Sequence, residues 1–364
     1  MHVLMFTQRV DAGHDVLGFT VDWIRALADR VDRLDVLTGY EGSHDLPDNV
    51  TVRSYGKERG YAKPRRVATF QRHCLWYARR GDVDVAFSHM IPEFVIASWP
   101  WLRVAGVPYV LWYAHRSVNA RLRVAHALVD RVVTATDASF RLPSSKLSVV
   151  GHGIDTDRFA PDDVDADTGV ASTPAPDRHR LLSVGRLDPV KDVDVLIDAV
   201  GTLADRGREV TLRLVGEPAR KGDYGQRLRE QVEAADLDDR IEFVGPVPHE
   251  RIVSEYRQAG VFLNASRTGS LDKTEVEAMA CGTPVLSCND SFVEMVEDAG
   301  LDPAALTWPA DDADALADRV ETLLDYDEET YRDLCSRSRA VARERHDLGR
   351  LMDRLVDVFA EVSS

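Results

Sequence analysis

Short apolar runs alternate with helical patterns along nearly the whole chain, in two separate series. The first series has strand-like runs near 2–7, 34–38, 50–54, 84–88, 108–112, 131–135 and 147–150. Between them, one pattern places Phe19, Trp23, Leu27 and Val31 on a common helical face, and another runs from Pro64 to Arg80. The second series has runs near 180–184, 210–215, 241–244, 260–264 and 284–287, followed by helical patterns at 311–325, 328–344 and 348–362. Alternation of this kind predicts an α/β fold with parallel sheets and helices on both faces. Ligands of such sheets bind at the carboxyl ends of strands, so the loops after residues 7, 88, 112 and 150 are the places to search in the first half.

Residues 161–177 lose all periodicity and are rich in Asp, Pro, Ala, Ser and Thr. They read as a linker between a domain at 1–160 and another at 178–345. A chain of 364 residues is long enough for two such cores. The last pattern puts Leu351, Leu355, Phe359 and Val362 on one face, which must be buried somewhere. Residues 346–364 are expected to pack back on the first domain.

Charge narrows the setting. The net charge is −16, and only six lysines occur, at 57, 63, 146, 191, 221 and 273. An Asp-rich, Lys-poor surface suits a salt-filled cytoplasm, where screening relieves self-repulsion; an acidic but otherwise ordinary protein is the alternative. Cys74, Cys281, Cys288 and Cys335 have no metal-ligand spacing, and no secretory signal precedes them. A reduced, cytoplasmic setting without a metal is expected. Met1–Thr7 reads as a first buried strand. The apolar stretch from Ile91 to Ala114 is broken by Glu93, Pro100, Arg103 and Pro108, too often for a bilayer span.

Two segments of the second half carry chemistry. In Leu182–Lys191 a strand runs into a turn that Arg186 and Lys191 bracket. Two cations beside a helix N-terminus can bind a diphosphate, or can be solvated charges beside a loop. In Ser266–Val285 a turn precedes a helix that Gly282 ends and Pro284 cannot continue. Gly269 and Ser270 can bring bare backbone N–H groups to an anion, and Glu277 can point back along the helix face. A cradle with a carboxylate nearby suits a nucleoside diphosphate and its ribose hydroxyls.

The segments Val184-Gly185-Arg186-Leu187…Lys191 and Glu277-Ala278-Met279-Ala280-Cys281-Gly282-Thr283-Pro284-Val285 resemble the donor-binding motifs of family 4 glycosyltransferases. Val150-Gly151-His152-Gly153-Ile154-Asp155…Phe159 resembles the family's approach to its interdomain linker, and Tyr113-Ala114-His115 the place of a histidine beside the transferred sugar. The resemblance covers nearly the whole chain. It implies a retaining enzyme of the GT-B fold, with two Rossmann-like domains facing across a cleft, which moves a hexose from a nucleotide-diphosphate sugar. Arg186 and Lys191 would neutralise the diphosphate as the sugar leaves. Gly185 would belong to the same donor motif, Glu277 would accept from the ribose hydroxyls, and His115 would meet the sugar. The departing phosphate oxygen would help deprotonate the acceptor. No cofactor and no metal is implied.

The family's first glutamate, eight positions before its second, falls here at Gly269. Ser270, Asp272 and Lys273 stand in its neighbourhood. Asp272 is the candidate for the missing sugar-facing carboxylate and Lys273 for a third cation, or both are first-turn helix residues. The first loop, Gln8 to Gly18, lacks the family's paired glycines but carries Arg9, Asp11, Gly13, His14 and Asp15. It reads as an acceptor-binding loop or as a solvated polar loop.

From Arg53 to Arg80 nine Lys or Arg residues face a single acid, Glu58, with Tyr55, Tyr61, Phe70, Trp76 and Tyr77 interleaved. In the resembled family this region often faces lipid-linked acceptors or the membrane. An anionic headgroup or polyprenyl phosphate is the preferred partner, with peripheral attachment to the cytoplasmic face. The alternative is a helix whose aromatics are core and whose outer face is basic. No nucleic-acid motif accompanies the charges. The functional expectation is glycosyl transfer to a lipid-linked or cell-envelope glycan. A GT-B nucleotide-sugar epimerase and a non-catalytic nucleotide-sugar-binding protein remain as alternatives. A dehydrogenase is disfavoured, since no G-x-G-x-x-G follows the first strand.

Overall fold

The computed structural model describes residues 1–14, 17–161, 177–218, 222–248 and 251–364. The chain divides into two compact units, Met1–Gly153 with Leu348–Ser364, and Ile154–Asp347.

The first unit holds seven parallel strands: β1 (His2–Val10), β2 (Arg33–Glu41), β3 (Val50–Ser54), β4 (Val85–His89), β5 (Tyr109–Trp112), β6 (Arg131–Thr134) and β7 (Leu147–Val149). Their order in the sheet is β3-β2-β1-β4-β5-β6-β7. Successive side chains of a strand face opposite sides, and β1 feeds two cores accordingly. Leu4 and Phe6 pack with Phe70, Cys74 and Tyr77 of the helix Lys63–Arg80. Val3 and Met5 pack with Trp23 and Leu27 of the helix Phe19–Ala28, and with the C-terminal helix Leu348–Ser363. That last helix buries Leu351, Met352, Leu355 and Phe359 completely. The Phe359 ring meets Phe87 of β4 edge-on at 5.3 Å. Each such side chain contributes about 1.5–3 kcal/mol by leaving water, which fixes the helix on this sheet. Pro100, read as a breaker, lies inside the helix Pro92–Val104. Among the described residues, no helix is long and apolar enough to cross a membrane.

The second unit holds five parallel strands: β8 (Asp177–Val184), β9 (Thr211–Val215), β10 (Ile241–Gly245), β11 (Ala259–Asn264) and β12 (Val285–Ser287), in the order β10-β9-β8-β11-β12. All six residues of β11 are buried, as a strand covered on both faces requires. The chain enters and leaves this unit side by side. Ile154 donates its N–H to the His346 carbonyl at 2.7 Å, and Thr156 Oγ1 donates to Asp347 Oδ2 at 2.7 Å. The first unit thus ends at Gly153, ahead of the expected 160, because Ile154 and Phe159 belong to the second core. Of the segment expected as linker, residues 162–176 lie outside the described residues, and Asp177 already belongs to β8.

Candidate functional site

The carboxyl ends of β8 and β11 build one polar pocket. Beyond β8, Gly185 donates to the Val215 carbonyl and Leu187 to the Glu217 carbonyl, each at 2.9 Å. This close approach requires Gly216, since a Cβ there would overlap the Gly185 carbonyl oxygen. Arg186 stands between these two residues and is exposed. The short turn Pro189–Lys191 is capped by Asp188, whose Oδ1 accepts from the Val190 N–H at 3.1 Å. The Lys191 side chain returns over Gly185, with Cε 4.0 Å from where a Cβ would stand. Its Nζ donates to Asp272 Oδ2 at 2.7 Å and to Ser266 Oγ at 3.2 Å. Gly185, Arg186, Lys191 and Asn264 line a common hollow.

Beyond β11 the chain turns through Gly269, which has φ +68°. A glutamate there would adopt a conformation that L-residues with long side chains rarely take. Two side chains of the next segment hold this turn from behind. Ser291 Oγ donates to the Gly269 carbonyl at 2.5 Å, and Asn289 Nδ2 donates to the Ser270 carbonyl at 2.8 Å. In a trans peptide the N–H lies opposite the carbonyl, so the Ser270 N–H points away from Ser291.

The helix Lys273–Ala280 follows, with Asp272 as its N-cap. Glu275 accepts from the Asp272 N–H at 2.8 Å, closing a capping box. Its other oxygen accepts from Asn264 Nδ2 at 2.7 Å and Ser287 Oγ at 2.5 Å. Glu275 is fully buried, and burial together with the neighbouring Asp272 pushes its carboxyl up to about 8. Glu277 is also buried and accepts from the Tyr256 hydroxyl at 2.8 Å. Burial pushes it up to about 7, against the Tyr256 hydrogen bond and the charges of Lys273 and Arg158. The site therefore falls into two groups. Gly185, Arg186 and Lys191 line one pocket, with Asp272 paired to Lys191, while Lys273 opens the helix beside Asp272 and its charge acts on Glu277 one turn on. The sequence reading did not single out Asn264, Glu275 or Ser287. Asp-x-x-Glu at a helix start was the available signal, but a capping box is read as a local device rather than as part of a pocket.

In the first unit, β1 runs on through Val10, with Arg9 paired to Tyr40 and Val10 to Glu41 of β2. Arg9 is thus a strand residue, where a loop residue was expected. Its guanidinium lies 3.6 Å from the Tyr40 ring centroid and donates to Asp11 Oδ2 at 2.8 Å. Gly13 is exposed, and His14 Nδ1 accepts from the Leu17 N–H at 3.0 Å. Asp15 lies outside the described residues. His115 follows β5, is exposed, and accepts from the Ser117 N–H at 3.0 Å through Nδ1.

The basic stretch resolves by face. Phe70 and Tyr77 are core residues, whereas Trp76 is 37% exposed between the guanidinium groups of Arg53 and Arg80, at 4.8 and 4.6 Å. Lys63, Arg65, Arg72 and Arg79 are exposed along the same helix, together with Val67.

Residues 170–341 match the family described as Glycosyl transferases group 1. A D-inositol 3-phosphate glycosyltransferase of Catenulispora acidiphila is 32% identical over 173 residues, which cover 43% of this chain and 40% of that protein. The lipopolysaccharide core biosynthesis mannosyltransferase LpcC of Rhizobium leguminosarum is 31% identical over 233 residues, covering 62% of each. The chain thus spans about half the length of these curated relatives. Among solved structures, Anabaena HepE in complex with UDP superposes with a TM-score of 0.76 at 20% identity, over 99% of this chain and 100% of that one. WaaG, a glycosyltransferase involved in lipopolysaccharide biosynthesis, gives 0.64 at 15% identity, over 98% and 99%. Both units are parallel-sheet, Rossmann-like layers of the GT-B type.

Proposed function

We propose, from a chain whose residues 170–341 match the group 1 glycosyltransferases, that it transfers a hexose from a nucleotide-diphosphate sugar with retention of configuration, as family 4 enzymes do. The observation that carries this reading is the pocket between β8 and β11. There a lysine ammonium and an exposed arginine lie beyond the carboxyl end of β8, beside Asn264 at the end of β11. Negative charge grows on the diphosphate as the sugar–oxygen bond breaks. Arg186 and Lys191 would stabilise it, and such groups act most strongly where charge develops. They supply the positive charge, so no metal or cofactor is proposed. Glu277 would accept from the ribose hydroxyls, and Lys273 would sit beside it.

The first unit would hold the acceptor through Arg9, Asp11, Gly13 and His14, with His115 meeting the transferred sugar. A lipid-linked or cell-envelope glycan fits the roles of LpcC and WaaG in lipopolysaccharide biosynthesis and the exposed basic face of Lys63–Arg80. The protein would work in a salt-filled cytoplasm, peripheral on an anionic membrane. The test is a thermal-shift screen against nucleotide sugars, followed by transfer assays with the donor that binds. A ligand that binds only the folded state raises the melting temperature by mass action. Lys191→Ala should lower kcat by roughly 10²–10³-fold with the fold intact. Full activity in that variant would remove Lys191 from the site.

Gly269 favours a second reading. Its left-handed backbone stands where the resembled family keeps a sugar-facing glutamate, which suits a protein that binds a nucleotide sugar without transferring it. Binding with neither transfer nor donor hydrolysis over a wide acceptor panel would support that reading.

A further inference from the structure

The ammonium assigned to the diphosphate is already engaged. Lys191 Nζ lies 2.7 Å from Asp272 Oδ2 and 3.2 Å from Ser266 Oγ, and the ion pair is only partly exposed, at 21% and 19%. An arriving diphosphate therefore meets an internal competitor. We propose that Asp272 is the resident counter-ion of Lys191, which the ligand's diphosphate displaces when it binds. This deepens the donor-site reading above and rests on it.

The surrounding hydrogen bonds fit such an exchange. Asn264 cannot turn its amide over, because its Oδ1 accepts from the Ser266 N–H at 3.2 Å. Its Nδ2 must therefore face the two carboxyl groups, donating to Glu275 at 2.7 Å and to Asp272 at 3.1 Å. Glu275 is held in turn by Ser287 and by the Asp272 N–H. When Lys191 leaves, Asp272 keeps Asn264 as a donor. It also keeps its place at the N-terminus of the helix Lys273–Ala280, where a negative charge is favoured. The carboxylate thus stays put while the flexible lysine changes partner. A diphosphate brings more negative charge than one carboxylate, and so can take the ammonium. Asp272 is in this account a positioning residue that prevents an unpaired cation in the empty pocket and lowers affinity for the ligand.

The sign of one measurement separates this role from a structural one. The probes are UDP, GDP and ADP, with binding read by calorimetry on the whole chain. Whichever wild-type protein binds, Asp272→Asn keeps the side-chain shape and removes the charge. It should bind that nucleotide roughly fivefold tighter, the order expected for removing a partly exposed ion pair that competes with the ligand. Lys191→Ala should weaken binding, and in its background Asp272→Asn should no longer tighten it. Asp272→Ala provides the same charge loss if the asparagine variant does not fold. Binding that Lys191→Ala weakens but both Asp272 variants leave unchanged or weaken would overturn the exchange alone. A wild-type protein that binds none of the three, or binding indifferent to Lys191→Ala, would overturn the donor-site reading and the exchange together.

Discussion

The Tyr256 hydroxyl donates to Glu277 Oε2 at 2.8 Å, and it does so with the phenol wholly buried and the carboxyl almost so. This bond offsets part of the burial that raises the Glu277 carboxyl. Tyr256→Phe removes the donor and leaves the ionised carboxylate short of a partner. The loss should be about 1–3 kcal/mol of stability, and larger at pH 8 than at pH 6, because the protonated acid needs the donor less. Urea unfolding at the two pH values measures it. Equal losses at both would show that Glu277 does not titrate in this range.

The two raised acids fix a direction for the pH dependence of stability. Glu277 near 7 and Glu275 near 8 hold protons in the folded chain that an unfolded carboxyl near 4.5 has released. This contribution is fully present below pH 4.5 and is lost as pH rises through 7 and 8. The slope is at most about 1.4 kcal/mol per pH unit for each group. Glu277→Gln keeps an oxygen acceptor for Tyr256 and cannot ionise, so its unfolding curve should fall less between pH 6 and pH 8.5 than the wild-type curve. Parallel curves would refute the assignment.

Gly216 has no room for a side chain, because a Cβ would overlap the Gly185 carbonyl oxygen. Gly216→Ala must push β9 away from the turn that carries Arg186 and Lys191. We expect a stability loss of about 1–3 kcal/mol, as for other overpacked sites, together with weaker nucleotide binding. Thermal melts with and without nucleotide separate the two effects, and wild-type values for both would contradict the packing described.

The basic face of the helix Lys63–Arg80 should pull the protein down with vesicles that contain anionic lipid and not with neutral ones. Arg65→Glu combined with Arg72→Glu should reduce co-sedimentation strongly while leaving the melting temperature within a few degrees, since both side chains are exposed. At molar salt the screening length falls to about 3 Å, so pelleting should fade as KCl is added. No pelleting at low salt would remove the membrane from the proposal.

The twelve strands of the described residues were legible as short apolar runs, most clearly where a strand is covered on both faces, as β4 and β11 are. The ends of strands were less so. Arg9 reads as part of a polar loop, yet its guanidinium lies over the Tyr40 ring, and β1 runs on beside β2 through Arg9 and Val10. Gly185, Lys191 and Glu277 could be singled out because their motifs are local. Asn264 and Ser287 could not, since they meet Glu275 only when β11 and β12 lie side by side with the helix Lys273–Ala280. The partner of Lys191 was hidden for the same reason: 81 residues separate it from Asp272.

The C-terminal helix has a consequence for how the chain is made. It closes the face of the first sheet that carries Val3, Met5 and Phe87, yet it follows the whole second unit in the sequence. On the ribosome the second unit can fold as soon as Asp347 has emerged. The first must wait, with one apolar face still open to water or to a chaperone, until residues 348–363 have been synthesised.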